Sequence, residues 1–369
     1  MLIDGRPTRT IWPEPDGNAV GVIDQRALPH RVTRVSFASA TEATRAIADM
    51  TVRGAPLIGV TAAYGLALQA RSDASDAALD AAASQLKSAR PTAVNLAWAV
   101  DRTRAHLREQ AMPDRAAAAW AFAGRLADDD VACNQAIALN GLALLQVIAA
   151  RKPGQVLNVL THCNAGWLAT VDWGTALAPI YLAHAQGLAV HVWVDETRPR
   201  NQGASLTAFE LREQGVPHRV IADNAGGHLM QRGHVDAVIV GCDRVSARGD
   251  VANKIGTYLK ALAAHDNRVP FYVAMPLSTL DRSITDGLTE IAIEERDVRE
   301  VTHLSGRAHD GRSVEVQVVP DGTGAVNPAF DVTPARLVSA LITERGVVPA
   351  SADGIEALFA QNTVGELTP

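Results

Sequence analysis

The chain is 369 residues long, 47% apolar and 4% aromatic. That length exceeds one ordinary domain and suits two, with apolar residues enough for a large core. A formal charge of −6 without a basic stripe gives little support to nucleic-acid binding, while a small anionic ligand, which needs only a few local cations, stays open.

Residues 1 to about 37 predict short strands at Thr10–Trp12, Ala19–Ile23 and Arg31–Ser36, the first two separated by the turn signal Pro15-Asp16-Gly17. Thr41 to about Arg151 is rich in Ala and Leu and predicts helices. Breaks fall at Arg53-Gly-Ala-Pro56, Arg90-Pro91 and Met112-Pro113. A boundary is expected at 151–156, giving a mainly helical domain with an initial β meander (1–151) and an α/β domain (152–369). In the second part, five apolar runs alternate with helical stretches: Leu157–Thr161, Ala189–Val194, His218–Ile221, Ala237–Val240 and Pro270–Ala274. This alternation predicts a Rossmann-like, doubly wound parallel sheet. Residues from about 362 to 369 read as a frayed tail.

Three widely spaced cysteines, Cys133, Cys163 and Cys242, with no C-x-x-C, indicate neither a zinc site nor a disulfide framework. The start, MLIDGRPTRTIW, lacks the apolar core of a signal peptide, and the apolar runs read as too short to span a membrane. A cytosolic setting is therefore expected. No dinucleotide fingerprint, P-loop, H-E-x-x-H or G-x-S-x-G occurs, and the histidines and carboxylates show no metal-ligand spacing.

In an open α/β sheet, ligands bind beyond the carboxyl ends of the strands. Those ends carry His162-Cys-Asn-Ala-Gly166, Asp195 to Gly203, Asp223-Asn224, Cys242-Asp243 and Met275 to Ser278. Cys163 is a candidate acid, since a thiol gives and takes protons under local control, but a buried structural cysteine fits its residue type equally. Asp243 follows an apolar run, where desolvation would raise its basicity; an ion pair with Arg244 or Arg248, or a helix cap, is the alternative. Arg53-Gly54-Ala55-Pro56 fits an anion-binding helix start or an ordinary helix break. Arg90 carries the same ambiguity. Gln202-Gly203, before a helix expected near Ser205, is another possible anion corner. Asn253-Lys254 offers an amide and a cation, or a plain helix start with a surface lysine.

Taken together, Arg53-Gly-Ala-Pro56, Arg90-Pro-Thr-Ala-Val-Asn95, Thr161-His-Cys-Asn-Ala-Gly166, Asp195-Glu-Thr-Arg-Pro199, Asn201-Gln-Gly203, Gly241-Cys-Asp-Arg244, Gly249 to Tyr258, Pro276-Leu-Ser-Thr279 and Asn327 to Pro334 resemble the methylthioribose-1-phosphate isomerases. The resemblance runs from about residue 8 to about 348. Its superfamily also holds ribose-1,5-bisphosphate isomerases and regulatory subunits of a translation-initiation exchange factor. The resemblance implies Cys163 and Asp243 as the catalytic pair, with Arg53, Gly54, Ala55, Arg90, Gln202, Asn253 and Lys254 as substrate contacts. It implies an aldose–ketose isomerisation of a sugar 1-phosphate in methionine salvage, without metal or cofactor, by a homodimer that binds neither nucleic acid nor membrane. A 5-deoxy sugar would be a conceivable second substrate, and Trp12 is a candidate wall for the methylthio group. Cys242 departs from the Ala that many members carry, a change of small expected effect.

Overall fold

The computed structural model describes residues 1–360; the tail expected at 362–369 lies outside them. The chain opens with a short pair, β1 (Leu2–Ile3) and β2 (Arg6–Pro7). An antiparallel meander follows: β3 (Ile11–Pro13), β4 (Val20–Ile23) and β5 (Arg34–Phe37). Five helices come next: α1 (Ala40–Ala48), α2 (Ala55–Ser72), α3 (Asp76–Ser88), α4 (Val94–Arg108) and α5 (Arg115–Ala150). Their starts are written in the sequence. Ser39 and Ser75 accept hydrogen bonds from the first turns of α1 and α3, and Pro56 occupies the first turn of α2. Helix α2 is buried on nearly every side, as its run of small and apolar residues requires.

Helix α5 is long and apolar enough to cross a membrane by length and composition, contrary to the expectation that no run would be. Its residues are instead used in two cores. Ala123, Leu126 and Ala127 pack with α2, while Ile137, Leu142 and Leu145 pack with the sheet that follows.

The remaining elements are β6 (Leu157–Thr161), α6 (Ala178–Ala185), β7 (Val190–Asp195), α7 (Ala208–Glu213), β8 (His218–Ile221), α8 (Ala225–Gln231), β9 (Ala237–Val240), β10 (Arg244–Ser246), β11 (Val251–Lys254), α9 (Thr257–Asp266), β12 (Phe271–Ala274), β13 (Leu280–Asp281), α10 (Gly287–Glu290), α11 (Arg299–Thr302), β14 (His303–Arg307), β15 (Ser313–Gln317), β16 (Phe330–Thr333), β17 (Ala340–Thr343), β18 (Gly346–Val348) and α12 (Ala352–Ala360). Seven strands form the main sheet in the order β18-β17-β12-β9-β6-β7-β8, all parallel except β18. The five expected strands are its centre and one edge; β17 and β18 extend it. Counted from β6, the parallel strands run 3-2-1-4-5-6, the doubly wound order. The chain reverses direction across the sheet between β6 and β9.

A second sheet, β13-β10-β11-β16, was not anticipated. Strand β11 pairs antiparallel with both β10 and β16, setting Lys254 opposite Phe330 and Asn253 opposite Asp331. Asn253-Lys254 therefore ends a strand rather than starting a helix, and Lys254 is buried, not a surface lysine.

Candidate active site

Strands β6 and β9 flank the point where the chain reverses, and a crevice opens beyond their carboxyl ends. Cys163 follows β6 and Asp243 follows β9. Both line one cavity, which Arg53, Gly54, Ala55, Arg90, Gln202 and Lys254 also line. Eight of the nine residues singled out from sequence converge here.

The exception is Asn253. A strand turns alternate side chains to opposite faces, so Ala252 and Lys254 reach the cavity while Asn253 points away and donates its amide to Thr257 Oγ1 at 3.0 Å. That bond ties β11 to the start of α9. Trp12 does not line the cavity either; it packs against the core under the main sheet. The apolar wall is made by Met50, Ile58, Ile291, Ile293 and Phe330. Cys242 also lies off the wall, packed into the core on the other side of the sheet.

Asp243 makes no hydrogen bond or ion pair with its carboxylate among the described residues. Arg244 is turned away, donating to the Thr92 carbonyl at 2.7 Å and pairing with Asp281 at 3.8 Å. Burial pushes the Asp243 carboxyl above the ordinary aspartate range. Arg90, Arg53 and Lys254 pull it back down, and Glu294 adds to the rise. Burial likewise pushes the Cys163 thiol up, against the pull of Arg53 and Lys254. The cavity thus holds a thiol kept in its neutral form by burial together with a carboxyl whose basicity burial enhances. Lys254 has no ion-pair partner among the described residues. Its ammonium lies 5.7 Å from the Phe330 ring centroid, and burial lowers its pKa.

The anion corner is built from the start of α2. Gly54 sits at φ +94, and a Cβ there would collide with the backbone of Ala169, so only glycine fits. No side chain caps the helix, which leaves its first N–H groups at the cavity wall. Arg53 is held by two bonds to Asn164, Nη1 to Oδ1 at 2.7 Å and Nη2 to the carbonyl at 3.0 Å, and it lies 3.9 Å from Cys163 Sγ. Gln202 is buried with its Oε1 unpartnered, and it leads into a π-helical segment (Gly203–Thr207) that continues into α7, the helix expected near Ser205. Arg90 donates to Glu294 at 3.2 Å and leaves its Nε unpartnered.

Several supporting residues were missed from sequence. Glu210, in the first turn of α7, is fully buried. It accepts from the Asn164 amide, Trp167 N, Leu168 N and the Tyr181 hydroxyl at 2.9, 3.0, 2.9 and 2.6 Å. Burial pushes its carboxyl up to about 7 despite these donors. It fixes Asn164, which fixes Arg53. In Glu210→Gln an N–H group must face donors, so a loss of about 2 kcal/mol or more is expected, read as a lower unfolding midpoint in urea. Arg244 and Arg296 also line the cavity. The fold further assembles a grouping that sequence spacing hid: His162, Asp195 and Asp223 converge. Lys260 Nζ lies among them, donating to the Asp223 carbonyl and 3.2 Å from Asp195, so the cluster already holds a cation of its own.

The chain resembles known proteins over nearly its whole length. Residues 51–350 match the model of the initiation factor 2 subunit family. The methylthioribose-1-phosphate isomerase of Methylocella silvestris is 61% identical over 366 residues, covering 99% of this chain and all of that protein. The solved 5-methylthioribose 1-phosphate isomerase of Pyrococcus horikoshii is 39% identical, with a TM-score of 0.83 over 97% of each chain. The translation initiation factor eIF-2B subunit delta of A. fulgidus is 37% identical, with a TM-score of 0.79 over 96% of this chain and the whole of that one. The chain belongs to the initiation factor 2 subunit family and, within it, to the methylthioribose-1-phosphate isomerases.

Proposed function

We infer that this protein isomerises 5-methylthioribose 1-phosphate to 5-methylthioribulose 1-phosphate, a step of methionine salvage, with Asp243 as base and Cys163 as acid. The observation that carries the reading is the meeting of an unpaired carboxylate, a neutral thiol and an unpaired ammonium in one cavity at the sheet's reversal point. Phosphate on the anomeric oxygen prevents simple opening to a free aldehyde. The C1–ring oxygen bond must break with the phosphate in place, and hydrogen must move from C2 to C1. In one route a base removes the C2 proton and an acid returns a proton to C1. In the other, hydride shifts directly while the pair handles the hydroxyl protons. Both need a water-poor site, which the apolar wall supplies.

Arg53, the N–H groups at Gly54 and Ala55, Arg90, Gln202 and Lys254 are the proposed phosphate and sugar contacts. The methylthio group is assigned to the wall of Met50, Ile58, Ile291, Ile293 and Phe330. A second phosphate at C5 would need a further free cation. Arg244 is engaged by Thr92 and Asp281, and Arg296 by Glu294 and Glu300. This favours the methylthio sugar over a ribose bisphosphate, and a 5-deoxy sugar should also fit the wall. A purely regulatory role has no need of the paired acid and base. We read the chain as a helical unit to about residue 151 and a Rossmann-like unit beyond it, acting in the cytosol as a homodimer without metal or cofactor.

Incubation with the sugar phosphate in deuterated water tests the function. Ketose formation is expected, deuterium at C1 would select the proton-transfer route, and no turnover would overturn the reading. Arg53→Ala should raise KM about 10- to 100-fold through loss of charge-assisted bonds to phosphate. The melting temperature should change little; its collapse with unchanged KM would make Arg53 structural.

A further inference from the structure

His162 does not line the cavity, yet it is completely buried beside Cys163. Its two ring nitrogens reach different parts of the fold. Nδ1 lies 2.9 Å from Asp195 Oδ2, at the tip of β7, and Nε2 lies 2.8 Å from the carbonyl of Ile255, which directly follows Lys254. Gly256, at φ +101, lets the backbone lie over the ring; a Cβ there would stand 3.0 Å from the imidazole.

These contacts connect the two halves of the site. Cys163 belongs to the tip of β6, in the main sheet. Lys254 ends β11, and Asp243 donates its backbone N–H to the carbonyl of Ala252 on the same strand, at 2.9 Å. Lys254 thus stands on the second sheet, and Asp243, in the turn from β9 into β10, is bonded to it. Around Cys163 the backbone is fixed without His162: its N–H donates to Thr197 Oγ1 at 2.8 Å, its carbonyl accepts from Thr207 Oγ1 at 2.7 Å, and it adopts φ +67. The left-handed residue turns the thiol into the cavity and leaves the imidazole directed toward β7 and β11.

We propose that His162 is a positioning residue: its imidazole braces the thiol-bearing strand tip against the second sheet, which carries Lys254 and is bonded to Asp243, and holds the thiol in register with both. This rests on the reading of Cys163 and Asp243 as the catalytic pair. The hydrogen-bond chemistry specifies the ring further. The Ile255 carbonyl can only accept. Asp195 forms an ion pair with Lys260 at 3.2 Å through the same oxygen that faces His162, and as a carboxylate it too can only accept. With acceptors on both sides, His162 makes both bonds only when each ring nitrogen carries a hydrogen. Asp195 and Lys260 are its charged neighbours, with Asp223 and the Asp331 carboxylate close by.

The test uses the full-length protein and 5-methylthioribose 1-phosphate. His162→Gln should lower kcat about 10- to 100-fold, the cost of a misplaced reacting group, with KM changed less than kcat. Asp195→Asn keeps the shape and can donate its amide to a neutral ring that still bonds Ile255, so it should keep most of the wild-type kcat. In the wild-type protein labelled with 15N-histidine, one ring should show both nitrogens protonated at neutral pH, a signal absent in Asp195→Asn. Wild-type kcat in His162→Gln, or no doubly protonated ring, overturns the proposal. If His162→Gln fails to fold, the wild-type spectrum and Asp195→Asn decide. If wild-type protein does not turn the sugar over, the functional reading fails, while the spectrum still decides the brace.

Discussion

Asp243→Asn should lose at least ~10²-fold in kcat, the contribution of one acid–base group, with KM within a few-fold of wild type. The amide keeps the shape of the carboxylate and cannot accept a proton from carbon or hydroxyl. The pH profile should carry the same signature. Because burial raises the carboxyl's pKa, the acid limb of kcat/KM in wild type should lie above the ordinary aspartate range. Lys254, Arg53 and Arg90 hold that pKa down, so neutralising Lys254 should move the limb to higher pH. Stability should respond in the opposite sense to activity. A carboxyl whose folded pKa is raised stabilises the fold below its unfolded pKa, and that contribution is lost as pH rises through the folded value. The ionised form of Asp243 is the one the fold disfavours, and an amide avoids it, so Asp243→Asn should melt no lower than wild type. A large drop in melting temperature with near-normal turnover would make Asp243 a structural residue.

Cys163→Ser should be slowed comparably, by ~10²-fold or more, since a hydroxyl is a far weaker acid in the same place. The thiol is held neutral by burial, while Arg53 and Lys254 act to ease its ionisation during turnover. Alkylation by iodoacetamide should therefore be slow at pH 7, accelerate with rising pH and be blocked by the sugar phosphate. Cys133 and Cys242 are also driven up by burial, and neighbouring acidic groups, Glu344 and Asp243 respectively, push further. Among the described residues neither has a cation to assist it, so Cys163 should be the thiol whose alkylation tracks loss of activity. Inactivation that persists in Cys163→Ala would refute this.

The central strands were legible because each is a short apolar run between polar turns. Their ends pointed to Cys163 and Asp243 because parallel sheets place ligands there. The helix breaks at Gly54-Ala-Pro56 and Pro113 were equally plain. The second sheet was not: strands such as Arg244–Ser246 and Leu280–Asp281 are too short for a period-two pattern to emerge. Missing it misread Asn253-Lys254, because only membership of β11 reveals that the two side chains face opposite ways. Glu210 looked like any surface acid on an amphipathic helix. Its partners Asn164, Trp167 and Tyr181 lie 46, 43 and 29 residues away, and no local pattern announces such a bond. The apolar wall was missed for a similar reason, since Ile291 and Ile293 belong to an irregular segment between α10 and α11.

Helix α5 has a mechanical consequence. A single uninterrupted rod of 36 residues is embedded at one end among the early helices and at the other against the main sheet. The lobes on either side of the crevice thus share a spine, and a clamshell hinge between them would have to bend it. Traffic of sugar in and out should instead fall to the rim around Ala292 and Ile293, which is solvent-exposed and carries no regular structure.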